Sequence, residues 1–211
     1  MFVIVSVGIL PQALMIGYLI FWVIYHIEHP FFERYKVTSD PWPWNENREE
    51  WMVLLKDTVI TVAIAQFIIN PSVMFVQLYF NNWQVKFDMS LTEFPDRMTM
   101  CLQIFFCVVC EDICNFFAHF ALHYKPLYKM IHKKHHLHKQ PISIVAAYSH
   151  PAETIINILC FASGTIILGK RMHHATYILW MLYRLYESVE SHSGYEFSFT
   201  PTRPLPFAAG A

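Results

Sequence analysis

The chain has 211 residues, of which 55% are hydrophobic and 15% charged, with a formal net charge of −1. Soluble domains average ~45–50% apolar and ~25% charged, so the composition points to a membrane protein and excludes a disordered chain, which needs many charges and few aromatics. Fifteen basic against sixteen acidic side chains leave no basic field for nucleic acid.

Residues 1–27 carry no charged side chain, enough for the ~20 apolar residues that cross a bilayer core. A cleavable signal peptide fits poorly, because no basic residue opens the chain and no small-residue cleavage site precedes Glu28. A retained first span, kinked at Pro11, is expected. In the polar segment 28–57, Trp42, Trp44 and Trp51 suit the headgroup layer. The second span covers residues 58–80, charge-free and containing Pro71. A third apolar run, 98–110, is short for a span but continues through Glu111 and Asp112 into residues 115–118, so its helix is expected to leave the membrane carrying that acidic pair. A fourth run, 154–169, closes on Lys170 and Arg171; a fifth, 175–183, runs into Arg184 and Glu187. The last two fit either a short hairpin or a re-entrant pair.

Orientation follows the placement of Lys and Arg. Arg34, Lys36, Arg48 and Lys56 precede the second span, and Lys125, Lys129, Lys133, Lys134 and Lys139 follow the third, whereas the intervening loop holds only Lys86 and Arg97. The N-terminal end and the 81–97 loop are therefore expected in the lumen, and the lysine-rich segment in the cytosol. Four of the five cysteines, Cys101, Cys107, Cys110 and Cys114, lie in or beside one apolar run and act as small hydrophobes rather than a disulfide framework. No repeat or flexible linker divides the chain. The expected fold is all-α, an integral membrane helical bundle with a cytosolic histidine-rich metal-binding cap; residues 1–97 supply the N-terminal transmembrane helices and their loops.

Six of the twelve histidines fall between His119 and His138. His119 and His123 are four apart and share a helix face, and the same geometry turns His132, His135 and His136 to one side. Neutral imidazole ligates first-row transition metals. HxxxH alone is common by chance, and a His/Lys stretch also suits a face near anionic lipid; HxxxH followed by HxxHH beside a span is far more specific. A structural zinc takes four ligands and often cysteine, whereas five clustered histidines without cysteine favour two metals or one open, reactive site. Open, nitrogen-ligated iron suits oxygen activation, and hydrolytic zinc wants a carboxylate base. His138 is expected to be exposed, His173 and His174 to form an interfacial loop, and His26 and His29 to lie in the headgroups.

Glu111-Asp112, the His119/His123 pair, and Tyr128-Lys129-x-Ile131-His132-Lys133-x-His135-His136 resemble the fatty acid hydroxylase and sterol desaturase superfamily. The later stretches from Ala147 through Tyr148-Ser149-His150-Pro151-Ala152-Glu153 to Thr154, and Ser191-His192-Ser193-Gly194-Tyr195-Glu196-Phe197, look like the C-4 methylsterol monooxygenases, with the likeness running from about Trp51 to the end. The resemblance implies that residues 98–211 form a fatty acid hydroxylase-like domain in a multi-pass endoplasmic-reticulum membrane enzyme. It implies a non-haem di-iron centre, O2 as co-substrate, and stepwise oxidation of a sterol C-4 methyl group to alcohol, aldehyde and carboxylate. By position, His119, His123, His132, His135, His136 and His192 would be metal ligands and catalytic residues, with His150, Glu111 and Asp112 as supporting groups behind them. None of the six glycines is spaced as GxGxxG, so no nicotinamide site is encoded. Electrons would come from a cytochrome b5-type or NAD(P)H-linked donor, which the lysine-rich segment would attract if acidic. Sterol and membrane lipid are the other expected partners.

Asn115 stands where such oxidases often carry histidine, and Phe120 where arginine is common. Family members continue past the stretch 206–211 into a third HxxHH cluster, so the chain reads as C-terminally truncated, and weak or single-metal occupancy is expected. A sterol C-5 desaturase or an acyl-lipid hydroxylase is the runner-up enzyme reading. A non-catalytic sterol-binding membrane protein is the alternative from another class.

Overall fold

The computed structural model describes residues 10–85, 87–90, 92–138 and 140–199. Residues 1–9 of the expected first span, Lys86 and Lys139 of the orientation argument, and the stretch 206–211 lie outside the described residues. Among those described, the regular structure is helical, with only two isolated bridges, Lys36 to Tyr195 and Asp88 to His173. The all-α expectation holds.

Helix α1 is Leu10–Ile27; α2 (Pro30–Glu33) and α3 (Pro43–Glu46) are single turns, each with proline in its first turn, where its missing N–H costs nothing. Helix α4 (Arg48–Ile64) starts at Asn47, whose side chain accepts from Glu50 N, a cap of about 1 kcal/mol. It continues through a π turn, Ala65–Ile69, into α5 (Asn70–Phe80). Pro71 has no N–H to return to the preceding turn, and the wider hydrogen bonding, with Asn70 N donating to Ala65 O, absorbs the defect. Asp96 caps α6 (Arg97–Leu122) through Thr99 N at 3.0 Å. A short helix α7 (Lys125–Met130) and two tight turns, His132–Leu137 and Ser143–Ala147, lead to α8 (Pro151–Leu168). The tight turn Gly169–Arg171 joins α8 to α9 (His174–Ser191), so the last two apolar runs form a pair of full helices.

Three helical stretches are long and apolar enough to cross a membrane: Arg48–Phe80, Arg97–Leu122 and Pro151–Arg171; α1 is a shorter apolar helix. Large apolar side chains on their outer faces, such as Phe67, Phe105, Phe116 and Ile167, are exposed, as lipid contact requires. The 26 residues of α6 run about 39 Å against a hydrocarbon core of ~30 Å, so its last turns project beyond the lipid tails.

Helices α6 and α8 form the most extensive packing in the fold. At their crossing, a Cβ on Gly164 would sit 2.7 Å from Cys107 Cα; only a small pair allows this approach. From that crossing, twelve residues along α6 reach His119 and eleven back along α8 reach Glu153, both about 16–18 Å away. The same end of the bundle collects the end of α1, the start of α4 and the end of α9. At the opposite end Asp88 N donates to Met172 O and His174 N to Asp88 O, so the 81–97 loop lies far from the lysine-rich segment.

Trp42 and Trp51, expected among headgroups, are instead buried, because the loop after α1 folds back over the cap. Trp42 and Trp44 stack at 5.4 Å, and Tyr25, Tyr195 and Phe197 complete the aromatic cluster. Fully buried Tyr25 ties three segments: its hydroxyl donates to Ser193 O at 2.8 Å and accepts from Ser143 N at 2.9 Å. Gly194 adopts φ +75°, where a Cβ would meet Pro141 O at 2.7 Å, and that turn carries Tyr195 into the cluster.

Two further expectations are corrected. His138 is half-buried, not exposed: Nε2 lies 3.1 Å from Thr58 Oγ1 and the ring stands edge-on to Tyr148. His173 and His174 are buried, not a surface loop; His173 caps α9 through Ala175 N, and its Nε2 bonds Ser90 O at 2.8 Å.

Candidate metal centre

Helix α6 presents His119 and His123 one turn apart, with Nε2 atoms 3.0 Å apart. The turn after α7 presents His132 and His136, with Nε2 atoms 2.9 Å apart. One ring nitrogen from each of the four lies within 4.8 Å of the others. The His132 ring stands 4.7 Å from both His119 and His123, roughly perpendicular to each. His132 is fully buried and the other three are exposed, so the group has a sealed floor and an open face.

Glu153, in the first turn of α8, fixes His132: Oε1 lies 2.9 Å from Nδ1. With Glu153 ionised, the ring donates from Nδ1 and turns the lone pair of Nε2 toward the other imidazoles, the arrangement in which a carboxylate orients a metal-bound histidine. Glu153 Oε2 is buried without a hydrogen bond among the described residues, so the carboxylate is committed to this task. Burial, reinforced by the imidazoles of His119 and His136, pushes the His132 pKa down to about 3, which keeps the ring neutral and ligand-competent at physiological pH.

His135 and His192 lie outside the four-nitrogen group and face each other, ring centroids 5.9 Å apart. Three residues per turn stack His135 over His132, centroids 5.7 Å apart and nearly parallel, instead of fanning it into the cluster. His135 Nδ1 meets Tyr148 O at 3.3 Å, and His192 Nδ1 meets Ser188 O at 3.0 Å. Both rings thus keep Nε2 free of a proton, the same tautomer as His132. Burial, then the neighbouring His192, lowers the His135 pKa to about 4, and burial also lowers that of His192.

The expected supporting residues stand elsewhere. His150 caps α8, accepting from Ala152 N. Glu111 bonds Arg184 at 2.5 Å and Asn115 at 3.2 Å, and Arg184 also pairs with Glu187; Asp112 neighbours that group on α6. Two residues the sequence reading left without a role do touch the cluster. Glu153 is one, and Tyr128 is the other, its ring stacked 5.8 Å from His123. Both fall inside the quoted motifs, and the signal that would have found Glu153 is a carboxylate in the first turn of a helix beginning at Pro151.

Below the cap, a cavity of about 260 Å³ runs between α1, the π turn and α5, α8 and α9. Its head is lined by Ser149, Thr154 and Ser188, next to the carbonyls that hold His135 and His192. Its walls are largely apolar, with Val73, Met74, Ile158, Phe161 and Met181 among them.

The fatty acid hydroxylase family profile matches residues 104–209. The chain belongs to the fatty acid hydroxylase family. Curated relatives include methylsterol monooxygenase 1 of Danio rerio, 32% identical over 86% of this chain and 59% of the relative. C-4 methylsterol oxidase of Candida albicans is 30% identical over 86% and 57%. C-4 methylsterol oxidase erg25 of Schizosaccharomyces pombe is 28% identical over 96% and 65%. The chain thus spans about three fifths of the length of these relatives. No solved structure matches it significantly. The matched region begins on α6, fifteen residues before His119, and takes in the four-imidazole group, Glu153 and His192.

The donor set fits a transition metal. An ion about 2.0–2.1 Å from two imidazole nitrogens at right angles separates them by about 3 Å, the spacing of both pairs here. All four donors are nitrogens, which suits iron far better than a hard cation.

Proposed function

We propose that this member of the fatty acid hydroxylase family oxidises the C-4 methyl group of 4-methyl or 4,4-dimethyl sterols at a histidine-held, non-haem di-iron centre. The observation that carries the reading is the convergence of four imidazole nitrogens, backed by Glu153, beside the head of an apolar cavity. The printed names of the relatives, methylsterol monooxygenase and C-4 methylsterol oxidase, supply the substrate.

His119, His123, His132 and His136 would hold one ion, and His135 and His192, turned by backbone carbonyls, would serve the second. Bound iron would supply the reduction of O2 and the insertion of one oxygen atom into a C–H bond. The chain does the rest. Glu153 holds the His132 proton at Nδ1 and keeps Nε2 for the metal. The cavity wall on α8 runs from Thr154 to Thr165, eleven residues or about 16 Å, long enough to align a rigid fused-ring lipid. Its largely apolar walls would keep the ring system of the substrate away from water. Without a nicotinamide motif the electrons come from outside, and exposed Lys125, Lys129 and Lys133 around the cap would steer an acidic, cytochrome b5-type donor. The bias of Lys and Arg toward that end favours a cytosolic cap in an endoplasmic-reticulum membrane, with residues 1–97 as anchor and 98–211 carrying the centre.

The test is an incubation of the iron-loaded chain in lipid nanodiscs with a 4,4-dimethyl sterol, a reductant and 18O2. A 4-hydroxymethyl product carrying one 18O is expected. Unmodified sterol beside reduced, bound iron would overturn the assignment.

A further inference from the structure

We infer that Asn157 is a specificity-determining residue that grips the substrate's 3-oxygen, with Gln66 a second polar group on the same cavity. The inference rests on the sterol reading. C–H oxidation requires the reacting atoms to be held at about 3–3.5 Å. On a 4-methyl sterol the ring oxygen is carried by the carbon next to the one bearing the methyl group. A polar partner for it is therefore expected within about one helical turn of the histidines, and an apolar slot offers few other handles for orientation.

At the head of the cavity, the hydroxyls of Ser149 and Thr154 are 2.9 Å apart and satisfy each other. The next polar group down α8 is Asn157. It stands four residues below Glu153, about 6 Å along the axis, lines the cavity, and its amide bonds no other described residue. The π turn packs against α8, and Gln66 lines the same cavity. Gln66 accepts from Asn70 through Oε1 at 3.0 Å, leaving its N–H donors available. Deeper on α8 the lining is Ile158, Phe161 and Ala162, then Thr165, whose hydroxyl donates to Ala162 O at 2.8 Å. Asn157 offers both a donor and an acceptor, so it matches a hydroxyl that gives one hydrogen bond and takes another. Gln77, eleven residues beyond Gln66 and about 16 Å deeper, also lines the cavity and would be the partner if the sterol entered the other way round.

The test compares tritiated 4,4-dimethyl sterol bearing a 3-hydroxyl with its 3-deoxy counterpart, by equilibrium binding to the full chain in nanodiscs. Wild type is expected to bind the hydroxylated sterol at least tenfold more tightly, since a buried polar group left unpaired is costly. Asn157→Leu is expected to abolish that preference with iron content and melting temperature unchanged, and Gln77→Leu to keep it. Equal binding of the two sterols by wild type overturns the subsite while leaving the sterol reading intact, as does a preference that survives Asn157→Leu or disappears in Gln77→Leu. Binding of neither sterol by wild type overturns both. Should Asn157→Leu not fold, Asn157→Asp, which keeps the volume and loses the amide donors, decides: a fall in preference of tenfold supports the inference, and an unchanged preference rejects it.

Discussion

Glu153 Oε1 lies 2.9 Å from His132 Nδ1, and this single hydrogen bond decides which nitrogen of the most buried imidazole faces the other three. Removing such a partner typically costs 10–100-fold in metal affinity. Glu153→Leu is therefore expected to weaken iron binding by about that factor, measured against a competing chelator, with Glu153→Gln intermediate because its amide oxygen still accepts from Nδ1.

The position of Glu153 depends on how closely α6 and α8 approach. Gly164→Leu forces side-chain atoms against the Cys107 backbone, which a Cβ alone would meet at 2.7 Å. Overpacking of this kind costs about 1–3 kcal/mol and displaces α8 relative to His119. A lower melting temperature together with weaker iron binding is expected, and Cys107→Gly should recover only part of it, since the contact is to the Cα itself.

The Glu111–Arg184–Glu187 group ties α6 to α9 inside the bundle. Arg184→Met leaves two buried carboxylates without their cation, a loss of about 3–5 kcal/mol. Adding Glu111→Met should return part of that stability, and chemical unfolding in detergent checks the non-additivity.

In the metal-free protein, His132 and His135 titrate near 3 and 4, below the ~6.5 of an unfolded chain. Between those values these two histidines bind more protons in the unfolded state, so the stability they contribute falls as the pH falls. That contribution is fully present above about 6.5 and is lost from there toward the folded pKa values. Denaturation of metal-free protein at pH 8, 6 and 5 reads this out, and a His132→Asn, His135→Asn double variant should show a shallower decline.

Features carried by local pattern were legible in the sequence. The charge-free runs marked the helices, and the HxxxH and HxxHH spacings marked the imidazoles that converge. What depended on partners distant in the chain was not. Trp42 and Trp51 are buried because Tyr25 and Tyr195 come to meet them, and no periodicity around the tryptophans announces that. The role of Glu153 depends on the α6–α8 register. The parting of His135 from His132 and His136 follows from a tight turn where an α-helix was assumed. His138 is covered because α4 brings Thr58 beside it.

X-ray absorption at the iron edge of the purified, iron-loaded chain tests the central claim most directly. Imidazole outer-shell scattering from an average of about three nitrogen ligands per iron near 2.1 Å, weakened when His119 and His132 are both replaced by alanine, is the predicted result. Iron bound without imidazole, or an unchanged spectrum in that double variant, would contradict it.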